Sequence, residues 1–220
     1  MALYALFLKG GPVMWPLLAV SIVGLAVAIE RGLFLLRHLE TAEPQLAREM
    51  LLHVEAGETG EALKKGQRSQ DPVVKVLVHG LMNRDRSLSS ALLRAASAEL
   101  EAYSRGISTL DTIVTLAPLL GLLGTVTGMV RAFGMLGGRE LEASAAITGG
   151  IAEALIATGF GLTIAILALV PLNLLNSTFS KTKRRIEQAA TELELLISSP
   201  VREASPYENP LRISSAPSQN

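Results

Sequence analysis

The sequence predicts an all-α integral membrane protein with three transmembrane helices, the second and third extended into the cytoplasm as long helices. Three observations predict this. The apolar residues of the 220-residue chain gather into three long blocks. Each block matches or exceeds the roughly 20 residues that a helix needs to cross a hydrocarbon core about 30 Å thick. The charged residues crowd instead between the first and second blocks and into the C-terminal stretch.

The first block runs from Pro12 to Leu36 and is free of charge between Lys9 and the Glu30-Arg31 pair. The second runs from about Thr112 to Phe133, uncharged between Asp111 and Arg131. The third runs from about Ala145 to Leu175, and Glu153 is its one charge between Glu142 and Lys181. Buried helices of a soluble protein rarely stay free of charge for so long. A signal peptide is the rival reading of the first block, since Ala26-Val27-Ala28 resembles a cleavage site. Against it, Lys9 alone is basic ahead of the block, whereas Arg31 and Arg37 follow it.

That asymmetry also orients the chain. Arg105 precedes the second block, and Lys181, Lys183, Arg184 and Arg185 follow the third. In the short connection, Arg131 and Arg139 are balanced by Glu140 and Glu142. The positive-inside rule then places the N-terminus outside and the C-terminus in the cytoplasm. The expected order is a periplasmic segment (1–11), span one (12–36), a cytoplasmic helical region (37–111) and span two (112–133). There follow a periplasmic loop (134–144), span three (145–175), a cytoplasmic helix extension (176–199) and a disordered tail (200–220).

Within the cytoplasmic region, Pro44, Gly57, Gly60, Gly66 and Pro72 are expected to break short helices. One uninterrupted helix is expected to rise from Ser87 through Asp111 into span two. Past span three, Ile186, Ala190, Leu193 and Ile197 form an apolar stripe suited to a helix or subunit contact. The tail, rich in Ser, Pro and Asn, has no such stripe.

Composition excludes several classes of function. Twenty basic residues balance twenty acidic ones, which removes the usual basis for a nucleic-acid binder. With no cysteine there is no disulfide, thiolate metal site or thiol nucleophile. His38, His53 and His79 lack metal-ligand spacing and read as surface residues, so neither a metal nor a cofactor is expected. The run Gly121-Leu-Leu-Gly124-Thr-Val-Thr-Gly128 lacks the Gly-Lys-Ser/Thr ending of a phosphate loop, and no strand precedes it.

The helical period divides spans two and three into faces. On span two, Pro118, Gly121, Thr125, Gly128 and Ala132 share a sector of about 80°, opposite Leu119, Leu123, Val126 and Val130. On span three, Ala146, Gly150, Ala154, Ala157, Gly161, Ala165 and Ala168 form a small-residue stripe between Glu153 and Thr158. Small residues let helices approach closely in lipid. Packing accounts for much of this surface, and Thr125 needs nothing beyond a bond to a carbonyl one turn earlier. Pro171 can kink the inner end of span three.

Glu153 is the candidate functional residue. A charge inside a membrane helix costs about 2.5–3.5 kcal/mol on insertion scales, and desolvation disfavours the charged form. Such a group can take and release protons. The other reading is a protonated Glu153 that bonds a neighbouring helix and holds an assembly together.

These residues also carry a resemblance. The run Asp111-Thr-Ile-Val-Thr-Leu-Ala-Pro-Leu-Leu-Gly-Leu-Leu-Gly-Thr-Val-Thr-Gly-Met129 resembles the second-span signature of the MotA/TolQ/ExbB proton channel family. Ile151-Ala-Glu-Ala-Leu-Ile-Ala-Thr158, with Gly161-Leu-Thr-Ile-Ala, is similar to the third-span signature of its ExbB and TolQ branches. The opening Leu8-Lys-Gly-Gly-Pro-Val-Met-Trp-Pro16 and the Ile29-Glu-Arg31 run are similar to ExbB-type proteins too. MotA itself is a poorer match, having four spans and lacking this glutamate.

The resemblance implies a multi-pass protein of the bacterial inner membrane and a homo-oligomeric ring, a pentamer, around the single spans of an ExbD/TolR-like dimer. It implies that Glu153 is the channel glutamate and that Thr125 and Thr158 line the pore, with Gly121, Gly128, Gly150, Ala157 and Gly161 packing the helices. Proton motive force would then energise outer-membrane transport through a TonB-like protein. In a TolQ-like relative it would support envelope maintenance through a TolA-like protein, or gliding motility. A non-conducting scaffold in the lipid membrane stays open as an alternative. A solute transporter is disfavoured, because three spans show no inverted repeat. An intramembrane enzyme is disfavoured because no Ser/His or paired-Asp set lies in the spans.

Overall fold

The structure, a computed structural model, describes residues 2–39, 41–134 and 140–198. The tail and residues 135–139 of the expected periplasmic loop lie outside the described residues. Among the described residues every regular element is an α-helix. They are α1 (Ala2–Lys9), α2 (Met14–Leu39), α3 (Pro44–Glu55), α4 (Thr59–Gly66), α5 (Pro72–Met82), α6 (Arg84–Ser104), α7 (Ile107–Gly134) and α8 (Glu140–Ser198).

Three helical stretches, Met14–Arg37, Ser87–Gly134 and Ile147–Ser198, are long and apolar enough to cross a membrane, and each overlaps one of the three expected spans. Their outer surfaces support that reading. Trp15, Ile22, Leu25, Leu119, Leu155 and Ile166 all stand exposed on the bundle. So large an apolar surface is untenable in water and natural in lipid. The protein is a multi-pass membrane protein.

α7 and α8 run antiparallel and form the centre of the bundle. α7 buries Leu110, Ile113, Ala117, Gly121, Gly124, Gly128 and Ala132. This face is rotated by about 50° from the sector read in the sequence, so Pro118 and Thr125 sit at its edge, half-buried. α8 answers with Gly150, Ala154, Ala157, Gly161, Ala165 and Ala168, all buried. The helix axes approach to backbone distance. A Cβ on Gly128 would lie 2.9 Å from the Gly150 carbonyl oxygen, and one on Gly121 would lie 3.1 Å from Thr158 Cα. α2 packs along this pair through Met14 and Leu17 near one end, joined by Val13 of the preceding turn, and through Val27 and Leu35 near the other. α8 continues through Pro171 as one helix of 59 residues, about 90 Å long.

The second half of α8 leaves the bundle and serves a different core. Met50 of α3, Val74 and Leu77 of α5 and Leu92 of α6 close around Ile186 and Leu193. The expected stripe on α8 is thus an intrachain contact at Ile186, Ala190 and Leu193, while Ile197 is exposed. Pro44 and Pro72 stand at the first positions of α3 and α5, where a missing N–H costs nothing. Gly57 lies in the α3–α4 turn, but Gly60 is inside α4 and breaks nothing.

A fully buried carboxylate ties this cap together. Asp71 caps α5 by accepting from Val73 N at 2.8 Å, accepts from Glu43 N at 2.6 Å, and pairs with Arg185 Nη2 of α8 at 3.0 Å. Nearby, burial pushes the Tyr103 phenol up to about 12, with Asp71 and Glu99 acting in the same direction and Arg185 opposing them.

The expected entry into span two fails as well. The helix entering span two is not continuous, because α6 stops at Ser104 and α7 starts at Ile107. Between them Arg105 is extended (ψ 138°) and Gly106 adopts φ +80°, a left-handed conformation open to glycine. Arg31 of α2 fills the bend. Its Nη1 donates to the Ala102 carbonyl at 3.2 Å, and a Cβ on Gly106 would sit 3.0 Å from Arg31 Cγ.

Candidate functional site

Glu153 lies about a quarter of the way along α8, on the flank of the small-residue face that meets α7. Its side chain is 14% exposed. Arg131, one turn before the end of α7, reaches back to it, and Nη1 donates to both carboxylate oxygens at 3.0 Å. The guanidinium side chain is 46% exposed, so the pair has a closed carboxylate end and an open cationic end.

A third segment closes over the carboxylate. The turn between α1 and α2 carries Gly11 at φ +75°, and any Cβ there would overlap the Glu153 carboxylate. Gly11 therefore serves twice, supplying a left-handed turn and leaving room for the acid. Gly10 beside it packs close to Met14 and Ile156. The opening Gly10-Gly11-Pro12 of the sequence thus forms part of the wall of the site.

The two candidate threonines occupy different positions. Thr158 donates across the seam to the Gly121 carbonyl at 3.0 Å, linking α8 to α7. Thr125 donates to Leu122 O of its own helix at 2.7 Å. Neither bonds to Glu153. Gly121, Gly128, Gly150, Ala157 and Gly161 lie within the seam, on both sides of the acid along its length. His53 pairs with Glu58 and His79 is exposed, both far along the chain from this site.

Sequence reasoning missed Arg131 as a partner and read it as a charge ending span two. A signal was present. In an antiparallel hairpin, facing residues have nearly constant summed numbers, as in Gly128 with Gly150 and Gly121 with Thr158. The position facing Glu153 is then near 126, about one helical turn and a fraction from Arg131, within reach of an arginine side chain.

The family described as the MotA/TolQ/ExbB proton channel family matches residues 60–188 of the chain, which include α5 to α7 and most of α8. The ExbB-like 1 protein of Synechocystis sp. is 39% identical over 198 residues, covering 86% of this chain and 77% of that protein. The chain belongs to the MotA/TolQ/ExbB family. Also similar is the ExbB-like 3 protein of Synechocystis sp., 31% identical and covering 86% of this chain and 92% of its own length. The TolQ protein of Haemophilus influenzae is 38% identical over 86 residues, 39% of this chain and 38% of its own. A Pseudomonas putida relative bears the name biopolymer transport protein ExbB, and the Haemophilus influenzae relative bears the name Tol-Pal system protein TolQ. Glu153, Arg131 and both threonines fall inside the matched residues, whereas Gly11 lies before them.

Proposed function

We propose that this chain is the proton-conducting subunit of an ExbB/TolQ-type inner-membrane motor that uses proton motive force to energise outer-membrane transport. The observation that carries the reading is Glu153, a carboxylate held inside the third span at the α7/α8 seam, with the half-open Arg131 as its counter-ion. A carboxylate so placed is a functional group by default, since an uncompensated one would cost several kcal/mol.

In this reading protons reach Glu153 from the side of the α1–α2 turn, in competition with Arg131. They leave through an acid on the single span of an ExbD/TolR-like partner. Thr125 and Thr158 line the route, and the small residues of the seam let the helices shift without opening voids. Copies of the chain form a ring, a pentamer, around the partner spans, with the N-terminus in the periplasm and the α3–α5 cap in the cytoplasm. A TonB-like protein carries the work outward. The stretch similar to a TolQ protein favours envelope maintenance through a TolA-like protein as the second reading.

The test is Glu153→Gln. The complex should still assemble, because Gln can hydrogen-bond to Arg131, while proton-motive-force-dependent uptake should fall to background. Full uptake by an assembled Gln variant would overturn the proposal. A scaffold role predicts a mild Gln phenotype and dissociation with Glu153→Leu, which the same purification reads out.

A further inference from the structure

The α7/α8 hairpin has two flanks, and the polar groups of the candidate site are divided between them. On α8, Glu153 and Thr158 stand about 140° apart around the helix, with the alanines and glycines buried against α7 between them. On α7, Arg131 and Thr125 stand about 120° apart, again with the buried glycines between them. Arg131 bonds to Glu153, which puts those two on one flank. Thr125 and Thr158 share the other.

The seam between the flanks is closed. A Cβ on Gly124 would overlap the Ala157 Cβ, and one on Gly128 would stand 3.2 Å from the Ala154 Cβ. Thr125 follows Gly124, and Glu153 precedes Ala154, so the two lie at nearly the same depth on opposite flanks. No carboxylate passes between backbones in such contact.

On its own flank the acid is boxed in. The Gly11 turn covers it at the end of the bundle. Toward the cap, Met14 and Leu17 of α2 are buried with Phe160 and Ile164 of α8 against them, an apolar plug. Thr127, level with the acid, gives its hydroxyl to Gly124 O at 3.1 Å. The other flank is different. Asn173, Asn176 and Ser180 of α8 follow Thr158 toward the cap within a sector of about 60°, and all three are exposed.

We infer that Arg131 is a positioning residue that retains Glu153 on the α2 flank, and that its release lets the carboxylate turn to the flank of Thr125 and Thr158. One nitrogen, Nη1, serves both carboxylate oxygens, so the grip depends on charge and reach rather than on the guanidinium fork. The purpose of this switch rests on the proton-conducting reading above, whereas the position of the side chain does not.

The experiment maps that position in the full chain in its purified complex. A lipid-soluble carbodiimide joins a carboxyl to an adjacent amine as an amide, taking up the water lost, and peptide mass spectrometry locates the link. Arg131→Lys puts an amine where Nη1 stands, and Glu153 should couple to it readily. Thr125→Lys puts an amine at the same depth on the far flank, where coupling should stay low while Arg131 is present. Adding Arg131→Gln should raise that coupling at least about ten-fold, the shift expected when a hydrogen bond to a charged group is lost. Gly11→Ala is a second route with Arg131 intact, because its Cβ would take the space of the carboxylate, and it should raise coupling to Thr125→Lys as well. Equal coupling to Thr125→Lys with and without these changes, in assembled complexes, would overturn the inference. So would absence of coupling to Arg131→Lys. Coupling that responds as expected in a complex that carries no protons would remove the conduction reading and leave the retention of Glu153 standing.

Discussion

α8 builds two interfaces by opposite means. In its first half it meets α7 through glycine and alanine, and the backbones nearly touch. In its second half it meets the cap through Ile186 and Leu193, which reach into a core of Met50, Val74 and Leu77. The difference follows from the solvent. The cap lies in water, so burying large side chains stabilises it by roughly 25 cal/mol for each Å² removed from water. In lipid that drive is absent, and helices hold together by close dispersion contacts and a few polar bonds. One interface therefore tolerates loss of atoms poorly, and the other tolerates gain of atoms poorly.

Adding atoms to the seam should have the largest effect. A Cβ on Gly161 would stand 2.5 Å from the Ala117 carbonyl oxygen and 3.0 Å from Gly121 Cα, both backbone atoms that no rotamer change can move. Gly161→Leu should abolish folded complex in detergent, read as loss of the monodisperse peak in size-exclusion chromatography. Gly159 has no neighbour within 4 Å of such a Cβ, so Gly159→Leu is the control within the same turn. A complex that survives Gly161→Leu would show that the seam is not held at backbone contact.

Removing atoms from the cap comes next. Leu193 is fully buried, and Leu193→Ala should cost about 2–5 kcal/mol, lost transfer energy plus a cavity. Chemical denaturation followed by cap-specific proteolysis would measure it. Asp71→Asn should cost somewhat less, about 1.5–3 kcal/mol, because the amide still accepts from Val73 N but no longer neutralises Arg185. Arg185 is one-third exposed and can recover part of its hydration, which keeps the loss below that of a fully buried pair. If Asp71→Asn exceeds Leu193→Ala, the polar latch rather than the apolar core dominates the cap.

The two interfaces also differ in how far they could be read from sequence. The small stripe of span three was legible residue by residue, because a helix maps sequence onto one face at a fixed angle. Pro44 and Pro72 were legible only as breaks, and the structure shows each break to be the first turn of a new helix. Contacts between distant segments were not legible. Asp71 and Arg185 are 114 residues apart, and nothing in either neighbourhood names the other. The break at Gly106 depends on Arg31 from another helix, so a glycine that a continuous helix could have absorbed became a bend. Arg131 fell between these cases. Its pairing with Glu153 needs only the antiparallel register of α7 and α8, but a charge at the end of a span is ordinarily read as facing the headgroups.

The smallest effects belong to the threonines, and they separate packing from conduction. Thr158 bonds across the seam to Gly121 O, whereas Thr125 bonds within its own helix. If packing is their whole role, Thr158→Val should destabilise the bundle by about 0.6 kcal/mol, the average for a polar contact between membrane helices, and Thr125→Val should be neutral. If both line a proton route, each variant should keep its yield and thermal stability and lower proton flux in reconstituted vesicles. The two readings therefore diverge most at Thr125. Its hydroxyl contributes nothing to the contact between α7 and α8, so a fall in flux there cannot be a packing effect. Unchanged flux in Thr125→Val would remove span two's threonine from the route and leave Glu153, Arg131 and Thr158 as its polar groups at this seam.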